Sequence, residues 1–231
     1  MTVINMFCQP RGRAGYIVAD TAVLDYNGIY VESCSKVAIS LGRFPFAIGM
    51  TGNIHPKAIL PVIGAADCKT LKQLIKRFPD MLHDAVDVAA KTLGDIPPSI
   101  AFKAVAWNFA KNRPMGLQIA NDRLAMPDHD PFQLYEVAFS LSLHDEAQGI
   151  EQLIGGADPT EPGQFDAEMD GLRLIEAQRA NGTRTALPGA AESRCTVGGE
   201  AQLYKITKHG VTCYSLREWP DTLGSKLKAQ A

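Results

Sequence analysis

The sequence has few of the features that tie a protein to disulfide, zinc or membrane chemistry. Its five cysteines are scattered and include no C-x-x-C pair, which argues against a disulfide framework or a zinc site. No apolar run approaches the ~20 residues of a membrane-spanning helix, and the formal net charge is only −2. We therefore expect reduced thiols, a cytoplasmic location, and neither a nucleic acid nor a membrane as partner.

The familiar short catalytic motifs are missing as well. The chain contains no P-loop, no G-x-S-x-G, no G-x-G-x-x-G and no H-E-x-x-H. Its histidines are isolated from one another. His129 and His144 have acidic neighbours but lack the i, i+4 spacing that places two ligands on one helical face. The sequence therefore predicts neither a metal nor a cofactor.

Strand patterns occupy both ends of the chain and part of its middle. β-Branched and aromatic residues favour strands at 3–8, 16–25, 29–33, 36–41, 44–50, 100–109, 115–121 and 135–141, and in a closing hairpin over 201–216. Asn27-Gly28 is typical of a two-residue hairpin turn. The first fifty residues are thus predicted to form an antiparallel meander.

Helical patterns separate these strands. Apolar residues recur every three or four positions over 71–93, where Pro79 is expected to kink or divide the helix. Shorter helical patterns cover 147–154 and 166–180, with a loop over 156–166. Strands followed by helices, strands, helices and strands predict an α+β fold in one domain over 1–231. We expect a four-layer αββα sandwich, with two antiparallel sheets covered by helices at about 53–94 and 145–180.

The N-terminal stretch MTVINMF raises a question of chemistry. Removal of Met1 would give Thr2 both a hydroxyl and a free α-amine. Such an amine titrates near pH ~7.7 to 8 and can take the hydroxyl proton, so one residue can act as nucleophile and general base. On this stretch alone, the start of an ordinary β-strand is the commoner interpretation.

Longer stretches carry a family resemblance. MTVINMF, YIVADTAVLDYNG, SKVAIS and FAIGMTGN resemble the start of a proteasome β-type subunit or its bacterial relatives, which are N-terminal nucleophile hydrolases. DAEMDGLRLIEAQRA and VGGEAQLYKITKHGV resemble that family's C-terminal helix and hairpin. The similarity is faint between about residues 120 and 165. The resemblance covers most of the chain and implies an N-terminal-nucleophile-hydrolase-like sandwich.

The resemblance also implies roles for particular residues. Thr2 would be the nucleophile, with its own α-amine as the base. Lys36 would lower the proton affinity of that amine by like-charge repulsion, and Asp20 would hold the ammonium in place. The backbone N–H of Gly49 would face the developing oxyanion, where a side chain would leave no room for the substrate carbonyl.

The supporting residues match the family's pattern less closely. The family's Gly-Ser-Gly-like turn corresponds here to VAFSLSLHDE, so either Ser140 or Ser142 would supply the serine, and Asp158 the acidic group. The resemblance implies a threonine-type amidohydrolase that acts on peptides or other amides and forms a homo-oligomer, such as a ring. The alternative is a catalytically silent, proteasome-like structural or assembly subunit, for example of a phage-related particle. Retention of Met1 would remove the base and favour this alternative.

Overall fold

The computed structural model describes residues 3–64, 67–142, 155–181, 183–184 and 193–228. The strands in these ranges are β1 (Ile4–Gln9), β2 (Ala14–Asp20), β3 (Ala22–Leu24), β4 (Tyr30–Ser33), β5 (Val37–Ile39), β6 (Phe46–Gly52), β7 (Ile100–Asn108), β8 (Arg113–Ala120), β9 (Tyr135–Val137), β10 (Phe139–Ser140), β11 (Thr183–Arg184), β12 (Ser193–Arg194), β13 (Glu200–Thr207) and β14 (Gly210–Glu218). The helices are α1 (Pro56–Gly64), α2 (Leu71–Leu93) and α3 (Met169–Asn181).

Two antiparallel five-stranded sheets form the body of the fold. The first sheet has the strand order β10-β1-β2-β13-β14 and the second has the order β5-β6-β7-β8-β9. Two short ribbons, β3–β4 and β11–β12, lie outside these sheets. Because the closing hairpin β13–β14 pairs with β2, the last strands of the chain complete a sheet that its first strands begin.

The sheets face each other across an apolar core. Alternate residues of β1 and β2, such as Ile4 and Ile17, meet Ala47 and Val105 of the second sheet, and all four are buried. Since successive strand residues point to opposite faces, the remaining residues of each strand face outward toward the helices.

Helices cover the outward faces unequally. The second sheet packs against α1 and α2, where Phe78 lies 6.1 Å from Phe102 between ring centroids. The first sheet meets helix α3 through Leu174 and Ile175. Much of the remaining cover comes from residues 155–168, which form turns rather than helix.

The predicted four-layer αββα sandwich is therefore wrong. The structure is mostly β, with three helices in the described residues and two small ribbons beside its main sheets. The helical patterns at about 53–94 and 145–180 predict a helical layer over each sheet. Of the second range, the structure describes as helix only the part that belongs to α3. The helical pattern at 147–154 lies outside the described residues.

The predicted meander in the first fifty residues is also wrong, although the strand positions within it are confirmed. β1 and β2 belong to the first sheet, β3 and β4 form a separate ribbon, and β5 and β6 begin the second sheet. Alternation of apolar residues identifies a strand but not its partner.

The predicted strand at 135–141 is divided between the two sheets. β9 pairs with β8 in the second sheet, and β10 pairs with β1 in the first. Ala138 lies between them, and its carbonyl accepts a hydrogen bond of 2.7 Å from the N–H of Cys8. The chain thus crosses from one sheet to the other at a single residue.

Helix α2 runs through Pro79 without being divided. It begins after Thr70, whose hydroxyl accepts the N–H of Gln73 at 3.2 Å as an N-cap. Its buried stripe, which includes Leu74, Phe78 and Leu82, continues across the proline. Packing of this stripe outweighs the one backbone hydrogen bond that the proline removes. No helix in the described ranges is long and apolar enough to cross a membrane.

Candidate active site at the N-terminal strand

Asp20 and Lys36 form a buried ion pair beside the start of β1. Asp20 ends β2 of the first sheet, and Lys36 directly precedes β5 of the second. Lys36 Nζ lies 2.7 Å from Asp20 Oδ1, and the two side chains are 1% and 0% exposed. The pair joins the two sheets in a place from which water is excluded.

The Asp20 carboxylate also holds the backbone of three other segments. Its Oδ1 accepts the N–H of Val3 at 3.1 Å, and its Oδ2 accepts those of Ala22 and Gly198, both at 3.3 Å. With the lysine, this makes four donors around one carboxylate, which is about its full capacity. Thr2 itself lies outside the described residues, but Val3, its neighbour in the chain, is tied to the ion pair through Asp20.

Burial dominates the electrostatics of Lys36. It lowers the pKa of the ammonium, and the attraction and hydrogen bond of Asp20 oppose that shift. A charge in such a low-dielectric position acts more strongly on neighbouring charges than a charge in water does.

Gly49 lies within the second sheet, opposite Val37 on one side and Lys103 on the other. A Cβ at this position would lie 2.7 Å from Cγ2 of Ile4, so the glycine allows β6 to pack closely against β1. The next residue, Met50, donates its N–H to the carbonyl of Lys36 at 3.0 Å. The oxyanion role of Gly49 stays a prediction.

The structure separates the three residues predicted to support the site. Ser142 lies against β1, where its hydroxyl accepts the N–H of Ile4 at 3.0 Å and donates to the carbonyl of Ile4 at 2.9 Å. Ser140 pairs with Met6 further along the same strand. Asp158 lies in a surface turn, where it accepts from Thr160.

Asp158 is thus placed away from the ion pair. Its neighbour Pro159 accepts a hydrogen bond from Gln9, at the opposite end of β1 from Thr2. The structure brings Asp20, Lys36, Gly49 and Ser142 to the beginning of β1 and leaves Asp158 apart.

Sequence reasoning missed Lys103, a buried lysine in the middle of β7. Its side chain is 5% exposed, and its Nζ donates to the carbonyl of Ile4 at 2.9 Å and to the Ser142 hydroxyl at 3.4 Å. Burial lowers the pKa of Lys103 to about 7. The available signal was a lone lysine inside the apolar run IAFKAVAWNF.

A buried amide pair completes the surroundings of β1. Asn5 and Gln178 are 0% and 2% exposed, and Asn5 Nδ2 donates to Gln178 Oε1 at 2.7 Å. Gln178 Nε2 donates in turn to Asn5 Oδ1 at 3.0 Å and to the carbonyl of Ser142 at 2.8 Å. These bonds fasten α3 to the first strand, and the sequence held no local sign of them.

The histidine pair considered for a metal does not form a site in the described part of the chain. His129 Nε2 lies 2.7 Å from Gln118 Nε2, and His144 lies outside the described residues. No group of three or more His, Cys, Asp or Glu side chains within the described ranges is placed to hold a metal ion.

Solved structures with a similar fold were found for this chain. Two structures of Anbu from Hyphomicrobium sp. strain MC1, one of them titled a Gly-1 mutant, superpose on the chain with a TM-score of 0.61 and 16% identity. Each match covers 96% of this chain and 90% or 89% of the other. The chain has the fold of Anbu. Anbu is a bacterial proteasome-like protein, and at 16% identity the likeness of this chain to it is one of fold.

These comparisons correct the resemblance drawn from the sequence. No family model matches the chain, and no curated protein matches it. The identification with proteasome β-type subunits is wrong, because the matching structures described above are of Anbu and neither a family model nor a curated protein supports the β-type assignment. Short motifs of this kind carry a risk of false matches and do not identify a family by themselves.

Proposed function

We propose that the protein is an N-terminal threonine amidohydrolase, most simply a peptidase, that uses Thr2 after removal of Met1. One observation carries the proposal. The buried carboxylate of Asp20 accepts both the ammonium of Lys36 and the N–H of Val3, the residue that follows Thr2. A buried ion pair fastened to the backbone beside a chain terminus suits the activation of a terminal amine.

The reaction would begin with a proton transfer within Thr2. Its neutral α-amine takes the hydroxyl proton as Oγ attacks the substrate carbonyl, and the resulting ammonium protonates the departing amine. Water, deprotonated by the same amine, then hydrolyses the ester on Oγ and releases the acid. The positive charge of Lys36 disfavours the protonated form of the α-amine and so keeps the base available near pH 7.

Gly49 and Ser142 have supporting roles in this proposal. The N–H of Gly49 would stabilise the oxyanion, a contribution typically of about a hundredfold or more in rate. Ser142 would hold the first residues of β1 through Ile4. The Anbu fold supports the proposal as a proteasome-like context, and within it we also propose self-association and a cytoplasmic location.

The test compares covalent labelling of Thr2 in the wild type and in Lys36→Met. Intact-mass spectrometry first establishes that Met1 is absent. An electrophilic peptide analogue, such as a peptide vinyl sulfone, should then modify the wild type at Thr2, and Lys36→Met should react at least about a hundredfold more slowly. Lys57→Met is the matched control, because Lys57 also pairs with a carboxylate, that of Glu32, but lies at the surface.

Stability has to be separated from chemistry in this test. Removing one partner of a buried pair costs about 3 to 5 kcal/mol, although Asp20 keeps its three backbone donors. The double variant Asp20→Asn with Lys36→Met removes both charges and serves as the folded reference. Equal labelling of Lys36→Met and wild type would overturn the role of Lys36, and a free Thr2 that never reacts would favour the catalytically silent assembly subunit instead.

A further inference from the structure

Lys103 occupies a position that the proposed reaction does not explain. Within the described residues, no carboxylate lies within ion-pair distance of its Nζ, and its side chain is almost fully buried. Burying an ammonium without a counter-charge is costly, and a methionine of similar shape would avoid that cost. Costly groups of this kind concentrate at functional sites.

Lys103 donates its hydrogen bond to β1 just beyond the point where β10 stops pairing with β1. β10 pairs with β1 at Phe7 and Met6 but no further toward the N-terminus. At Ile4 the edge of β1 is completed by side chains, because the carbonyl accepts Lys103 Nζ and the Ser142 hydroxyl, each at 2.9 Å. Near Thr2, the proposed nucleophile, side-chain hydrogen bonds to Ile4 therefore take the place of backbone hydrogen bonds from a neighbouring strand.

The second sheet presents a row of residues toward this point. Gly49, Lys103 and Gln118 lie directly opposite one another across β6, β7 and β8. Gly49 leaves room for the Ile4 side chain, and Lys103 binds the Ile4 carbonyl. The same residue of β1 is thus held on its side chain and on its backbone by adjacent strands of the facing sheet.

We propose that Lys103 is a positioning residue for the N-terminal nucleophile: by joining the Ile4 carbonyl to the Ser142 hydroxyl, it fixes the first residues of β1 relative to the Asp20–Lys36 pair. The inference rests on the proposed function and adds a second lysine to it with a different task. Lys36 acts on charge, whereas Lys103 acts on geometry. A displacement of about 1 Å in a reacting group can cost on the order of a hundredfold in rate.

The test compares Lys103→Met with Lys111→Met in the full chain. Lys111 lies exposed in the turn of the same β7–β8 hairpin, so it controls for the loss of one lysine there. With a peptide vinyl sulfone as probe, Lys103→Met should lower the maximal labelling rate at Thr2 by about tenfold or more. The concentration for half-maximal rate should stay unchanged, since a positioning residue does not contact the probe, and Lys111→Met should match the wild type.

Amide hydrogen exchange supplies a readout that does not depend on chemistry. The peptide covering residues 3–8 should exchange about tenfold faster in Lys103→Met, while peptides from α2 should be unchanged. Should Lys103→Met fail to fold, Ser142→Ala removes the other donor to Ile4 and should produce the same local change.

The labelling and exchange results distinguish failure of the positioning role from failure of the proposed function. Unchanged exchange over residues 3–8, or wild-type labelling rates in Lys103→Met, would overturn the positioning role and leave the proposed function intact. A wild type with a free Thr2 that does not label would overturn the proposed function. Faster exchange in that case would assign Lys103 to the fold alone and also overturn its positioning of a nucleophile.

Discussion

At the scale of single residues, the two buried lysines are in opposite situations. Lys36 is compensated by Asp20 at 2.7 Å, whereas the acceptors of Lys103 among the described residues are a carbonyl and a hydroxyl. Burial without a counter-charge lowers the pKa of Lys103 to about 7, well under the ~10.4 of a lysine in an unfolded chain. Folding therefore works against the protonation of this amine.

The pH dependence of stability follows from that difference. Between about pH 7 and pH 10.4 the unfolded chain binds more protons at Lys103 than the native protein does, so the free energy of unfolding rises with pH in this window. The rise amounts to at most about 5 kcal/mol. Urea unfolding should show that the wild type gains more stability than Lys103→Met between pH 7 and pH 9, so that the gap between the two proteins differs at the two values. The same gap at both values would contradict this prediction, and Lys111→Met is again the control.

Lys36 and Lys103 also differ in how well the sequence predicts a role for them. Lys36 was assigned a role because the short stretch around it resembles a known family. Lys103 had no such stretch, and a single lysine in a strand gives no sign of whether it points to solvent or to the core. Its burial depends on the facing sheet, in which β1 and β2 come from the beginning of the chain and β13 and β14 from its C-terminal part.

At the scale of elements, the close contact between β6 and β1 depends on a glycine. A Cβ at Gly49 would lie 2.7 Å from Cγ2 and 3.2 Å from Cδ1 of Ile4, both shorter than ordinary contacts. Ile4 is fully buried, so its side chain has little room to withdraw. A methyl group here would push the first strand away from the second sheet.

We therefore expect Gly49→Ala to lower the free energy of unfolding by about 1 to 3 kcal/mol, the usual cost of overpacking a core. Gly42→Ala is the matched control, since a Cβ at Gly42 meets nothing within 4 Å. Urea unfolding measures both variants. A Gly49→Ala protein as stable as Gly42→Ala would show that the contact with Ile4 relaxes freely.

Elements were easier to predict than their pairing. Alternation of apolar residues located most strands, and the helix predicted over 166–180 appears as α3. The order of strands was missed because β2 pairs with β13, which lies about 180 residues further along the chain. The helical cover was overestimated because residues 155–168, which form turns, protect part of the first sheet without helical periodicity.

At the scale of the whole molecule, β14 is the longest free edge of either main sheet. Within the described ranges it is paired with β13 on one side only, and most of its residues are exposed, including Tyr214 at 44%. An exposed edge strand of nine residues is a template for pairing with another chain. This edge is the contact through which we expect copies of the chain to associate.

Sedimentation of the wild type at micromolar concentration should therefore give a mass at least twice the 25.0 kDa of one chain. Tyr214→Lys should shift the distribution toward the monomer, because it places a charge in the middle of the edge. Tyr26→Lys is the control, since Tyr26 is 84% exposed in the turn between β3 and β4 and lies outside this edge. A monomeric wild type, or equal effects of both substitutions, would contradict the prediction.

The crossing at Ala138 limits how the two main sheets can move. β9 and β10 are hydrogen-bonded into different sheets with one residue between them, so neither sheet can slide along the other without breaking a ladder. The sheets therefore behave as one rigid frame at this end. Relative motion at this end would therefore have to come from loops and ribbons at the rim of the sheets, and not from one sheet sliding along the other.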